Sequence, residues 1–107
     1  MPDKKIEKII KDVNESILKK FSFFKGSYFY GSRARGNFTE NSDIDLINVF
    51  DNELSYEEEL ELAGIMGDID YKYDVFIDYH NYTLNNLKKN PIFYNEVVNK
   101  GFYYEAA

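Results

Sequence analysis

Two aspartates, Asp43 and Asp45, stand two residues apart in the run 43–50 (DIDLINVF), whose apolar and β-branched residues indicate a strand. Alternate residues of a strand point to the same face, so both carboxylates leave one face with their Cα atoms roughly 7 Å apart. Two such carboxylates repel each other unless a cation lies between them. A divalent metal that relieves this repulsion also attracts triphosphate oxygens, so the pair indicates metal-assisted phosphoryl chemistry. For an isolated Asp43, a turn or capping role would be the simpler interpretation.

A glycine and a serine, Gly31-Ser32, stand at the end of a short aromatic stretch that precedes the aspartates. Glycine lets the backbone approach a ligand closely because it has no Cβ. If Ser32 opens a helical turn, its free N–H groups and the helix dipole suit a phosphate. Arg33 and Arg35 are the only arginines of the chain, and arginine binds phosphate through a fork of donors. We expect these four residues to bind phosphate.

A third carboxylate is usually needed to deprotonate an attacking hydroxyl or to complete a second metal site. Asp74 is the preferred candidate because it lies inside the aromatic and apolar run 71–79 (YKYDVFIDY), which is predicted to be a strand. An acid inside such a strand is costly unless it is paired or bound to metal. Asp78 lies on the same predicted face but nearer the strand end, where exposure is the expected outcome. The predicted catalytic and metal-binding residues are therefore Asp43, Asp45 and Asp74.

Other motifs are set aside on chemical grounds. Gly31 and Gly36 have the glycine spacing of a P-loop, but the Lys-Ser/Thr pair that must follow is absent. The D-x-D pair lacks the third ligand and the glycine of a calcium loop. Sugar-nucleotide transferases also use a D-x-D pair, but they need a much larger chain. His80, in a Tyr/Asn-rich stretch, is expected to be a surface residue.

The surrounding sequence predicts alternating helices and strands. Ser55 and Glu58 form an S-x-x-E capping box at the start of a helix, and Gly67 is expected to end that helix. The predicted elements are a helix over 3–21, strands over 27–30 and 43–50, a helix over 55–66, a strand over 71–79, and one or two helices from residue 84, interrupted at Asn90-Pro91. This order indicates an α/β (α+β) fold in which helices flank a small mixed β-sheet.

Length and composition limit the function classes. A chain of 107 residues predicts one domain over 1–107, and the absence of cysteine with a single histidine excludes thiolate and multi-histidine metal sites. A metal would then be held by oxygen, which indicates Mg²⁺, Mn²⁺ or Ca²⁺. No stretch approaches the length of a membrane span and no signal peptide is evident, so a cytoplasmic location is expected. The net charge of −6 argues against a general affinity for nucleic acid.

The acidic and aromatic residues leave two alternatives open. Residues 51–70 carry eight acids and no base. A solvated helix face is the simpler explanation, and a surface that meets a basic partner is the alternative. The 19 aromatic residues (10 Tyr and 9 Phe) are expected mainly in the core. A chain this small can also expose an aromatic patch through which two copies pair, so homo-oligomerisation stays open.

The chain resembles the polymerase-β-type nucleotidyltransferases in the order Gly31-Ser32, ten residues, then Asp43-x-Asp45. The string GSRARG…SDIDL is similar to the minimal nucleotidyltransferase (MNT) branch. GIMGDIDYKYDVFI and NPIFYNEVVNKGFYYE extend the likeness over about 23–105. The resemblance implies a polymerase-β-like fold, metal binding by the three acids named above, and a nucleotide site formed by Gly31, Ser32, Arg33, Arg35 and Ser42.

The resemblance also implies a reaction and a biological context. The reaction would be Mg²⁺- or Mn²⁺-dependent transfer of NMP, with AMP from ATP expected over another NTP, by in-line attack on the α-phosphate with release of pyrophosphate. Similar enzymes are antitoxins whose partner is a HEPN-domain ribonuclease toxin, which they silence by binding, by attaching AMP, or by both. The alternative is an antitoxin that neutralises its partner by binding alone, with a non-essential active site. The run 37–39 is bulkier than this loop often is, which bears on the acceptor entrance.

Overall fold

One mixed sheet of four strands organises the protein in the computed structural model, which describes residues 3–36 and 43–106. The elements in chain order are α1 (Lys4–Lys20), β1 (Phe24–Tyr30), β2 (Ile44–Phe50), α2 (Tyr56–Tyr73), β3 (Ile77–Thr83), α3 (Leu84–Lys88), α4 (Pro91–Tyr94), a π-helix (Asn95–Asn99) and β4 (Phe102–Glu105). The strand order is β3-β2-β1-β4, with β2 and β3 parallel and the other two pairs antiparallel. The predicted fold class, a small mixed sheet flanked by helices, is confirmed.

The helix α1 covers one face of the sheet because its apolar residues recur at helical spacing. Asp3 caps it by accepting a hydrogen bond from the Ile6 N–H at 2.8 Å. Its buried residues pack with α2 against inward-facing strand residues such as Phe29 and Leu46. We call this side the α1/α2 face. The opposite side, where Ile47 and Val49 of β2 pack with Leu87 of α3 and Val97 of the π-helix, we call the site face.

The start of α2 follows the sequence closely, but its end does not. Ser55 accepts a hydrogen bond from the Glu58 N–H at 3.1 Å, and the Glu58 carboxylate accepts one from the Ser55 N–H at 2.8 Å, so the capping box is confirmed. The predicted end at Gly67 is wrong. The buried residues Met66 and Ile69 continue the apolar side of the helix past that glycine. An interior glycine costs only about 1 kcal/mol relative to alanine, which this packing outweighs.

The third strand begins six residues later than predicted, at Ile77 instead of 71. Residues 71–73 belong to α2, because two of their side chains join α2 to α1. The Lys72 ammonium and the Tyr73 hydroxyl each donate a hydrogen bond to Asp12 Oδ2 at 2.7 Å. Asp74 then ends the helix with a left-handed backbone, φ 52°. Within this aromatic stretch, Tyr73 therefore joins α2 to α1, whereas Tyr71 is 90% exposed and a short connection follows to β3.

The tail contains the predicted helical interruption at Asn90-Pro91 and one strand that was not predicted. Asn90 accepts a hydrogen bond from the Phe93 N–H at 3.2 Å, and Pro91 occupies the first helical turn, as expected. The strand β4 follows the π-helix and pairs with β1. It has only four residues, and its partner is far away in sequence, so its short pattern carried little signal.

A chain of buried polar side chains crosses the α1/α2 face. The Ser27 hydroxyl lies 2.7 Å from the Asn14 side-chain oxygen and 3.0 Å from that of Asn48. The Asn48 amide donates in turn to Asn81 Oδ1 at 3.2 Å. Ser27 and Asn48 are fully buried, so their polar groups depend on one another instead of on water. The network therefore links α1 to three neighbouring strands.

A membrane-crossing helix is not found among the helices of residues 3–36 and 43–106, since none combines the length and the apolar character that a bilayer requires.

Candidate active site

Three polar side chains form a row across the site face at one end of the sheet. Strand pairing places Tyr30 of β1 opposite Asp45 of β2, and Asp45 opposite Asp78 of β3. Neighbouring strands lie about 4.8 Å apart, so paired residues on one face lie side by side. Asp43 immediately precedes β2 and is exposed. The sheet register therefore brings Asp45 and Asp78 together from positions 33 residues apart.

The charges around Asp45 act against its ionisation. Partial burial raises the pKa of Asp45 above its usual value, and the negative charges of Asp78 and Asp43 raise it further. His80 and Arg35 oppose this effect. Crowded carboxylates of this kind are stabilised in the ionised form by a nearby cation, which supplies the missing opposite charge.

A protonated phenol borders the acids on the β1 side. Burial, followed by the charges of Asp45 and Asp78, raises the pKa of Tyr30 to about 12. The Tyr30 hydroxyl therefore keeps its proton at neutral pH. Tyr30 also packs edge-on against Phe93, with ring centroids 5.7 Å apart, and Tyr82 of β3 contacts the same Phe93 ring at 6.1 Å. These three rings form an aromatic wall beside the carboxylates.

Gly31 makes room for the Asp45 carboxylate. Its backbone has φ +86°, a conformation that other L-residues rarely adopt. A Cβ at this position would lie 3.1 Å from Asp45 Cγ and would collide with its carboxylate oxygen. The glycine therefore has a steric reason to follow β1 directly beside Asp45. The close approach of the Gly31 backbone to a ligand stays a prediction, since the group that Gly31 meets here is Asp45.

The phosphate-binding residues predicted from the sequence lie in the turn 31–36 next to Asp45. The Arg35 N–H donates to the Gly31 carbonyl at 3.2 Å, and the Gly36 N–H donates to the Arg33 carbonyl at 3.3 Å, so a short turn does follow β1. Ser32 and Arg33 are partly exposed. Arg35 is exposed and lies 3.6 Å from Glu96 of the π-helix. Ser42, also predicted for this site, lies outside the described residues.

The structure does not bring Asp74 into the sheet. The prediction assumed a position inside a strand, and that placement is wrong, because Asp74 is the exposed residue that ends α2. Asp78, the secondary candidate, is the acid that pairs in register with Asp45. The sequence held a signal for this difference. The apolar spacing of Leu62, Met66 and Ile69 continues the helix past Gly67, which moves the strand toward Asp78.

Another polar group of β3 in this region is His80, whose Nε2 lies 3.5 Å from Asp78 Oδ1. His80 is exposed, as predicted. An isolated histidine gives no indication in the sequence of the acid that lies beside it, since that contact depends on the strand that both residues share. The structure places it at the outer margin of the row formed by Tyr30, Asp45 and Asp78.

The donors at this end of the sheet suit a hard divalent cation. Within the part of the chain that the structure describes, no three acidic or histidine side chains are close enough to form a complete metal cage. Mg²⁺ does not need such a cage, since it usually binds one or two carboxylates and takes its other ligands from water and substrate phosphates. Asp45 and Asp78, with Asp43 nearby, match that requirement in chemistry and in mutual charge repulsion.

A carboxylate pair on adjacent strands beside a glycine turn, on a small mixed sheet, defines a class of site suited to nucleotidyl transfer. The chain belongs to the polymerase β nucleotidyltransferase family, whose family model (Polymerase beta, Nucleotidyltransferase) matches residues 5–101. The resemblance drawn from the sequence motifs is thereby confirmed. Among curated protein sequences, none matches the chain.

Solved structures similar to this chain share its fold. A candidate nucleotidyltransferase from Sulfolobus solfataricus has a TM-score of 0.62 at 20% identity, with 94% of this chain and 79% of that chain covered. A double aspartate-to-glutamate mutant of the toxin–antitoxin MntA-HpeT has a TM-score of 0.60 at 18% identity, covering 96% of this chain and 72% of that chain. A toxin–antitoxin structure with AMP-PNP has a TM-score of 0.60 at 19% identity, covering 91% and 72%.

Proposed function

We propose that this protein transfers a nucleoside monophosphate from an NTP to an acceptor hydroxyl, with AMP from ATP as the expected donor group and pyrophosphate as the leaving group. The observation that carries the proposal is the pairing of Asp45 with Asp78 in register, against a glycine whose missing Cβ leaves space for Asp45. Membership in the polymerase β nucleotidyltransferase family supports the same class of reaction.

The acids would bind the metal ion, and the turn 31–36 would bind the phosphates. Asp43, Asp45 and Asp78 would hold Mg²⁺ or Mn²⁺, which when bound neutralises charge on the triphosphate. The turn 31–36, with Ser32 and Arg35, would orient the phosphates through backbone N–H groups and charge. The acceptor oxygen attacks the α-phosphorus, the bond from phosphorus to pyrophosphate breaks, and the Asp78 carboxylate accepts the hydroxyl proton. Its position on the outer strand of the row favours Asp78 for this step.

The biological partner would be a toxin, and we propose one of the HEPN-domain class. Two of the similar structures are of toxin–antitoxin systems, and one of these holds AMP-PNP, an ATP analogue. The MntA-HpeT mutant replaces two aspartates spaced two residues apart, the same spacing as Asp43 and Asp45 here. These likenesses support ATP as donor and a protein as acceptor.

The decisive experiment compares Asp78→Asn with Asp74→Asn. Both substitutions remove one carboxylate, and asparagine tolerates the left-handed backbone of residue 74. We expect Asp78→Asn to lower transfer of label from α-³²P-ATP to the partner protein by about 10²–10⁴-fold, the usual contribution of a catalytic acid or base. Asp74→Asn should stay within a few-fold of the native protein. Loss of activity in Asp74→Asn with retention in Asp78→Asn would reverse the assignment.

The second candidate function is neutralisation of a toxin by contact alone. The observation in its favour is an exposed apolar strip on α2, where Tyr56 is 75% and Leu60 56% exposed beside acidic residues. The two functions separate in an Asp45→Asn variant. If that variant loses label transfer but still protects cells from the partner toxin, contact is sufficient. If protection disappears together with transfer while the complex still forms, catalysis is the operative activity.

A further inference from the structure

The outer edge of β3 has a row of backbone groups that no other strand pairs within residues 3–36 and 43–106. In a parallel ladder, alternate residues of an edge strand bond to the neighbouring strand, and the others point outward. The Ile44 N–H donates to the Phe76 carbonyl at 3.1 Å, which directs the backbone groups of Asp78 inward. The N–H and C=O groups of Tyr79 and Asn81 consequently point away from the sheet.

One end of this edge is closed by a side chain. The outward N–H of Ile77 donates to Asp70 Oδ1 at 3.1 Å, so this first position is already occupied. Asp70 belongs to α2, and residues of the first turns of α2 lie near Tyr79 to Tyr82 of the edge. Pairing by an added segment is therefore confined to the stretch around Tyr79 and Asn81. An edge strand with outward-pointing N–H and C=O groups is a template on which another chain can pair.

A groove of about 540 Å³ lies between this open edge and the first turns of α2. Its walls are Tyr79, His80, Asn81 and Tyr82 on the strand side and Tyr56, Glu59 and Leu60 on the helix side. Tyr56 and Leu60 are exposed apolar side chains, and Glu59 adds a negative charge. The groove therefore offers apolar contact and an acidic margin together with backbone donors and acceptors that no strand of the described residues pairs.

We propose that this groove, the β3-edge groove, binds the acceptor as an extended peptide that adds a strand to β3. This inference rests on the nucleotidyl transfer proposed above and names its acceptor as a side-chain hydroxyl (Ser, Thr or Tyr) within a segment that also carries Lys or Arg. Strand addition supplies affinity through main-chain hydrogen bonds and specificity through alternate side chains. Asp78 lies on the same strand, so a bound peptide runs directly past the proposed base.

The alternation of side chains along a strand defines the acceptor pattern. Asp78, His80 and Tyr82 point to the site face, whereas Tyr79 and Asn81 point to the α1/α2 face, where Asn81 bonds to Asn48. Peptide side chains alternate in the same way. A hydroxyl residue directed to the site face would lie one strand spacing from Asp78. Its immediate neighbours in the peptide would point toward Leu60 and Glu59, where apolar and basic side chains fit.

Charge favours a basic peptide over a second copy of this protein. Pairing two β3 edges would bring two α2 N-termini together, each with Glu57, Glu58 and Glu59 in its first turn. The two groups of glutamates would repel each other, and the net charge of −6 on each copy adds to the repulsion. A Lys- or Arg-containing segment experiences the opposite effect. The same acidity argues against a nucleic-acid strand as the occupant.

The test uses nine-residue peptides with one hydroxyl residue, flanked by Lys and Leu, and two patterns of backbone N-methylation. In one peptide, the methylated backbone nitrogens belong to the hydroxyl residue and to every second residue from it. In the other peptide, they belong to the residues in between. Only one set of N–H groups can face β3. We expect one pattern to weaken binding by about 30-fold, corresponding to two lost hydrogen bonds, and the other to bind like the unmethylated peptide. Equal effects of the two patterns, measured by fluorescence anisotropy, would exclude strand addition.

Two variants of the protein test whether the peptide binds in the β3-edge groove. Leu60→Lys places a charge that repels the basic peptide in the groove, whereas Ile92→Lys makes the same change at a residue that is 82% exposed outside it. We expect kcat/KM for peptide labelling to fall about tenfold in Leu60→Lys and to stay unchanged in Ile92→Lys. Both variants should bind the NTP with the affinity of the native protein. Equal loss in both variants, or a dimer of the native protein that Leu60→Lys dissociates, would overturn the proposed occupant.

The controls separate this inference from the proposed function. Binding of a fluorescent ATP analogue in Mg²⁺ and label transfer to water or to a free nucleoside report on the nucleotidyl site alone. If these occur while none of the peptides binds or is labelled, the β3-edge groove is not an acceptor site and nucleotidyl transfer stands. If peptides bind in the N-methylation pattern expected but ATP is neither bound nor cleaved, the groove stands as a peptide site and nucleotidyl transfer is wrong.

Discussion

Replacing Gly31 with alanine tests the link between the glycine turn and the carboxylates. Gly31 has φ +86°, where an L-residue costs about 1–2 kcal/mol of folding free energy. The new Cβ would also collide with the Asp45 carboxylate, which has to move. A displacement of about 1 Å at a reacting centre costs about 10²-fold in rate. We therefore expect Gly31→Ala to remain folded, with a lower unfolding midpoint and about 100-fold slower pyrophosphate release from Mg-ATP and acceptor.

The chain contains a matched control for this substitution. Gly36 has nearly the same backbone, φ +83°, but among residues 3–36 and 43–106 no atom would lie within 4 Å of a Cβ at Gly36. Gly36→Ala should therefore lose a similar 1–2 kcal/mol in urea unfolding while keeping most of its activity. The difference in activity between the two variants isolates the contact with Asp45. Equal activities at equal stability would refute the reasoning, because backbone strain would then account for everything that Gly31 does.

Two further predictions concern the scaffold. The hydrogen bond from Lys72, followed by that from Tyr73, lowers the pKa of Asp12 in the folded protein below its ordinary value of 3.8. The stabilisation from the ionised Asp12 carboxylate is therefore fully present above pH 3.8, and it is lost as the pH falls through the lowered pKa of the folded state. Asp12→Asn should reduce the thermal midpoint at pH 7 and flatten its decline below pH 4, and an unchanged acid profile would contradict this assignment. Ser27→Ala should cost about 1–3 kcal/mol in urea unfolding because it removes the hydroxyl that donates to the buried side-chain oxygen of Asn48, and a loss no larger than that of an exposed serine would show that the network is dispensable.

Local sequence signals were sufficient for the elements that are stabilised by their own residues. The helix α1 has a regular apolar stripe and an N-terminal cap, and α2 begins at a capping box formed by Ser55 and Glu58. The turn after Gly31 and the strand that follows Asp43 were also evident from short patterns. These features depend on side chains no more than a few residues apart, so a single sequence reports them directly.

The end of α2 and the start of β3 depended on packing instead. Gly67 is a poor helix residue, but the contacts of Met66 and Ile69 with the core keep the helix intact past it. The alternating aromatics that follow have the pattern of a strand, yet Tyr73 completes the helix through its bond to Asp12 on α1. Tertiary contacts with α1 thus override local propensity at this position.

The sequence by itself determined the residues on which the proposed chemistry rests: two aspartates two residues apart, a glycine-serine pair before them, and neither a cysteine nor a histidine cluster to hold another kind of metal. Only the tertiary structure decided which further acid lies beside Asp45 in the sheet. Asp74 and Asp78 lie in the same aromatic stretch. The local pattern predicted that Asp74 lies inside a strand, whereas it ends the helix α2. The parallel register of β2 and β3 brings Asp78 opposite Asp45, because strand pairing is fixed by long-range contacts that no local spacing encodes.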